Sequence, residues 1–167
     1  MPVDFFINGC KSQSNKSKFG LCDDAHPALN PAYINEIENA NWIGIVNNPL
    51  EKQIDFYAID HCIEILKPNG LMEKRCDGML HYNNRLIFIE LKSRKRKGNK
   101  WLKDGSKQLE TTISVFKENQ NIASFEKIEA YVCNQLKPRS HQGHFTQIQK
   151  FKEKTGLILR TEQIIKL

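Results

Sequence analysis

The sequence predicts an α/β fold, a central mixed β-sheet that carries an antiparallel hairpin and is flanked by helices. Three observations predict it. Two strand-like runs flank Asn83-Asn84, and Asn tolerates the positive φ that a two-residue hairpin loop demands. Leu109, Thr112, Ile113 and Phe116 recur at helical spacing over 107–119. Residues 128–134, IEAYVCN, read as a further buried strand.

Taken in order, Val3–Ile7 reads as a short strand and the Ser/Lys/Asn-rich 11–18 as a loop. Cys10, Cys22 and His26 match no zinc spacing with a fourth ligand. Asn30-Pro31 opens a short helix to Ala40, since Pro suits the first helical position. Residues 42–46 form an apolar run of either type. A longer helix is expected from Asn48, with Pro49 at its first position and Ile54, Ala58, His61, Cys62 and Ile65 on one stripe. Pro68-Asn69-Gly70 ends it. Glu51 falls on that stripe, and it also fits a capping box that bonds back to Asn48. Ser106 caps the 107–119 helix, 145–154 form an amphipathic helix stopped by Gly156, and 157–160 form a short strand. The expected organisation is one domain, with an N-terminal extension over 1–47, a core over 48–134 and a C-terminal helix and strand over 135–167.

Composition narrows the partners. The chain has 167 residues, enough for a real core. Its net charge of +6 favours an anionic partner, nucleic acid first. No run of 18 apolar residues is present, so no membrane partner is expected. The five cysteines are odd in number and widely spaced. Cys62, Cys76 and Cys133 read as buried free thiols, which points to a reducing, intracellular (cytoplasmic) setting.

The hairpin carries the chemistry. With Asn83-Asn84 as the loop, Tyr82 pairs with Arg85, Leu80 with Ile87 and Asp77 with Glu90. Lys92 shares the face of Glu90, two residues on. Opposed carboxylates repel unless something offsets them, and a divalent cation would. Gly78 beside Asp77 marks a bulge or a close approach. Beyond Lys92 come Arg94, Lys95, Arg96, Lys97, Lys100 and Lys103, with Trp101 among them. Clustered cations neutralise phosphates, and Trp101 is expected to stack on a base.

Asp77 followed, after a hairpin, by Glu90-Leu91-Lys92 resembles the core motif of the PD-(D/E)XK nuclease superfamily, the restriction-endonuclease-like fold that includes Holliday-junction resolvases. The resemblance covers roughly 48–134, about half the chain, and Cys76 stands where the family often has Pro. It implies a metal-dependent nuclease, most readily a deoxyribonuclease acting on DNA ahead of RNA. Asp77, Glu90, the Leu91 carbonyl and a helix carboxylate, for which Glu51 is the candidate, would hold Mg²⁺ or Mn²⁺. Lys92 would assist the attacking water. Gln108 matches a Gln that assists the site in several branches, and also suits an ordinary first turn. The resemblance allows a homodimer. The alternative is a non-catalytic protein of the same fold that grips nucleic acid through 94–103, or an acidic protein partner through the same loop.

Overall fold

Among the described residues, two β-sheets and two α-helices form three layers, an α/β architecture with mixed pairing. The computed structural model describes residues 2–93, 98–136 and 142–167. The larger sheet has six strands: β1 (Lys11–Ser14), β5 (Ile54–Ala58), β6 (Gly78–Tyr82), β7 (Arg85–Lys92), β8 (Lys127–Asn134) and β9 (Leu159–Arg160), in that spatial order. The first four pair antiparallel, while β7–β8 and β8–β9 are parallel. The smaller sheet runs β10 (Ile164–Lys166), β4 (Gly44–Asn47), β2 (Lys18–Cys22) and β3 (Tyr33–Asn35).

Alternation along β7 explains the layering. Leu86 and Phe88 point to one side and pack under α1 (Lys100–Asn119) and α2 (Gln142–Thr155), with Leu109, Ile113, Phe116 and Phe151. Ile87, Ile89 and Leu91 point to the other, against Phe19, Leu21, Val46 and Ile165 of the smaller sheet. A strand covered on both faces needs apolar residues at successive positions, as β7 has.

The hairpin forms as expected. Asn83 and Asn84 take φ of 43° and 58°, and Tyr82 and Leu80 pair with Arg85 and Ile87. Gly78 marks a close approach: a Cβ there would lie 2.3 Å from the Phe56 ring. The expected strand near 128–134 is β8, and the expected 145–154 helix is α2 with one turn more at its start.

Several expectations are corrected. The helix over 31–40 is absent, and β3 stands within it. The 11–18 loop is largely β1 and the start of β2, while 3–7 form no strand. The helix from Asn48 is replaced by a turn and β5. Asn48 is not an N-cap; its side chain accepts from Lys52 N–H at 3.1 Å and donates to the Lys52 carbonyl at 2.8 Å, closing the turn. Glu51 within it has φ of 48°, which no helix accommodates. Helix α1 starts seven residues earlier than its predicted first residue, Lys107, and Ser106 is inside it, bonded to the Leu102 carbonyl. Cys62 is no free thiol but is joined to Cys10; Cys22, Cys76 and Cys133 are free and buried. Among the described residues, no helix is long and apolar enough to cross a membrane.

Candidate active site

The site lies at the C-terminal end of β7, where the strand emerges beside α1. The β6–β7 pairing ends at Gly78 and Ile89, and Asp77 and Glu90 are the next residues beyond it on each segment. Both are deeply buried, at 6% and 2% exposure. Asp77 Oδ2 accepts from the Leu91 N–H at 2.6 Å, which ties the end of one strand to the other. Glu90 Oε1 meets Lys92 Nζ at 2.7 Å, whereas its buried Oε2 has no hydrogen-bond partner among the described residues.

Lys92 is held from a second side. Its ammonium donates to Gln108 Oε1 at 2.8 Å, and Gln108 Nε2 donates to the Arg75 carbonyl at 3.1 Å. Arg75 in turn donates through Nε and Nη2 to Asp60 Oδ1, at 3.1 and 2.6 Å. Asp60 is there because the β5–β6 pairing continues past Ala58: Ile59 N–H reaches the Asp77 carbonyl and Asp60 N–H the Cys76 carbonyl. Helix α1 sits close over Glu90 because Gly105 faces it; a Cβ at 105 would stand 3.0 Å from Val132 Cγ1 and 3.3 Å from Glu90 Cγ. Thr112, one turn beyond Gln108, bonds the Cys76 N–H at 2.8 Å and ties α1 to the hairpin.

A polar cavity of about 560 Å³ opens onto these groups. Asp77, Glu90, Leu91, Lys92 and Gln108 line it on one side, with Asp60; Asp23, Asp24 and His26 from the segment after β2 line the other. Burial, and then the charge of Glu90, holds the Asp77 carboxyl well above its usual range. Burial raises Glu90 to about 7, against the opposing pull of Lys92. Asp23 is raised by burial and then by Asp60. Among the described residues, no three His, Cys, Asp or Glu side chains form a ready-made metal cluster.

The structure therefore gathers Asp77, Glu90, Leu91, Lys92 and Gln108, and not the other expected residues. Glu51 is exposed in the turn before β5 and is not among the side chains lining the cavity, because the helix meant to aim it inward does not form. Trp101 is 2% exposed, its ring 5.5 Å from His144, so it has no face to offer a base. Lys100 and Lys103 are exposed on α1. Arg94, Lys95, Arg96 and Lys97 lie outside the described residues. Sequence reasoning missed Asp60 and Asp23. Asp60 lies in a stretch whose periodicity reads as helix, and the one available signal for Asp23 is the Asp23-Asp24 pair in an otherwise basic N-terminal segment. No family model, curated protein or solved structure matches this chain.

Proposed function

We propose that the protein is a metal-dependent nuclease that hydrolyses phosphodiester bonds, most readily in DNA, and that its fold core is restriction-endonuclease-like. The single observation that carries this reading is the facing buried pair Asp77 and Glu90 with the Lys92 ammonium at 2.7 Å from Glu90. Two buried carboxylates with raised proton affinity are poor neighbours as anions, and Glu90 Oε2 is a buried acceptor with no donor among the described residues. A hard divalent cation answers both defects. Mg²⁺ needs only one or two carboxylates, since waters and substrate phosphates complete its shell, so the lack of a three-residue cluster is no obstacle.

Asp77 and Glu90 would hold the ion, with the Leu91 carbonyl beside them. When bound, Mg²⁺ or Mn²⁺ supplies Lewis-acid polarisation of the phosphate and a lowered pKa for water. The chain's own residues do the rest. Lys92, fixed between Glu90 and Gln108, orients the attacking water and offsets charge that develops on the phosphate. Gln108 holds Lys92 in place through its anchor on the Arg75 carbonyl. With no helix before β5, the further carboxylates at the cavity are Asp60, Asp23 and Asp24 rather than Glu51.

The test is cleavage of supercoiled, linear, single-stranded and branched DNA by purified protein with Mg²⁺ or Mn²⁺. Asp77→Asn, Glu90→Gln and Lys92→Met are each expected to lower the rate by at least about 10²-fold, with folding checked by circular dichroism. Binding without any turnover would favour the non-catalytic alternative, and activity that survives all three changes would end the nuclease reading.

A further inference from the structure

A second groove, of about 370 Å³, shares Asp60, Lys92 and Gln108 with the carboxylate cavity and opens along the outer side of α1. Its remaining walls are Glu73, Lys74, Arg75, Lys100, Asp104 and Lys107, with Arg75 paired to Asp60. The three lysines outnumber Glu73 and Asp104, and Lys74, Lys100 and Lys107 are all exposed, none in an ion pair with a described residue. They come from the segment before β6 and from two turns of α1, so only the fold assembles them. The opposite side of the carboxylate cavity is acidic. Asp23 and Asp24 line it, and Asp24 is fixed there by the Tyr33 hydroxyl at 3.1 Å and Asn30 Nδ2 at 3.3 Å. A polyanion meets attraction on the α1 side and repulsion on the other.

Depth decides which polyanion. Asp77, Glu90 and Lys92 are 6%, 2% and 8% exposed. A phosphate must enter the recess to reach them. An unpaired strand bends into such a recess, whereas a duplex holds its phosphates on a stiff outer surface. We propose that Lys74, Lys100 and Lys107 form a phosphate track that leads an unpaired nucleic-acid strand past Lys92 into the carboxylate cavity, from the α1 side only. This rests on the nuclease reading for the chemistry that follows, but the track itself is a binding site and is tested without turnover.

A shallow basic patch and a track into a recess differ in what they prefer. A patch favours the duplex, whose charge density is higher, while a track favours the single strand. Fluorescence anisotropy of the wild-type protein in excess chelator, with a labelled oligonucleotide as single strand and as duplex, separates them. The single strand is expected to bind at least about fivefold more tightly. The Lys74→Ala/Lys100→Ala/Lys107→Ala protein is expected to show a salt dependence shallower by about 2 in log K against log salt, at about 0.7 for each phosphate that the lysines no longer neutralise. Equal or tighter duplex binding overturns the recess, and an unchanged slope overturns the track. If binding behaves as expected while wild-type protein with Mn²⁺ cuts no substrate, the hydrolytic reading falls and the track stands.

Discussion

Burial raises the Glu90 carboxyl to about 7 from an ordinary 4.5, so the folded protein carries a proton there that the unfolded chain has already lost. Between those values the native state binds more protons, and stability falls as pH rises through the window. It is greatest below about 4.5, and the loss is complete above about 7, amounting to about 3 kcal/mol in the absence of metal. Asp77 acts in the same direction. Urea unfolding in chelator from pH 5 to 8 should show this decline, and Glu90→Gln should flatten it. An equally steep decline in the variant would contradict the assignment. At this scale the sequence is most legible where the interaction is local. Asn83-Asn84 sets the hairpin register, and that register ends at Gly78 and Ile89, right before Asp77 and Glu90. Asp60 and Asp23 are not legible because they reach the cavity only through strand pairing and loop placement far from the motif.

Elements are legible in proportion to how cleanly one period dominates. In 54–58, Ile54, Phe56 and Ala58 face the smaller sheet and Tyr57 faces the helices, so apolar residues occupy both sides and imitate a helical stripe. The β-branched and aromatic residues fit a strand, and the Asn48–Lys52 turn before it blocks a helix start. Gly105 misleads in the opposite direction. It resembles a helix break, at about 1 kcal/mol of propensity relative to Ala, yet close packing on Val132 and Glu90 requires it inside α1. The Cys10–Cys62 link is beyond reach, since connectivity does not follow from cysteine positions. It clips the turn after β5, which carries Asp60, to the start of β1 across a sequence separation of 52. Closing a loop of that length is worth about 4 kcal/mol in the chain-entropy treatment. A Cys10→Ser/Cys62→Ser protein should therefore unfold at a lower urea midpoint, by about 2–4 kcal/mol, and a reducing agent should weaken the wild type but not the variant. A reductant that leaves the wild-type midpoint unmoved would deny the link a stabilising role.

At the scale of the molecule, the larger sheet is sandwiched between the helices and the smaller sheet, and this arrangement leaves the end of β7 as a place where charged side chains are both buried and reachable from a cavity. Burying these charged groups costs stability, and under the proposed function a bound cation would recover that cost. A divalent ion entering between Asp77 and Glu90 should displace the protons that burial holds there. Calorimetric titration with Mn²⁺ at pH 6, repeated in two buffers of different ionisation enthalpy, should therefore report release of about one proton or more per ion. An ion that binds the native state alone should, at about 100-fold excess over Kd, add about 2.7 kcal/mol to stability and raise Tm. Asp77→Asn should reduce both effects together, because it removes one of the two proposed ligands. Glu51→Gln should alter neither, since Glu51 stands exposed in the turn before β5. Heats that are identical in the two buffers, or a Tm rise that survives Asp77→Asn, would show that the ion binds elsewhere on the protein.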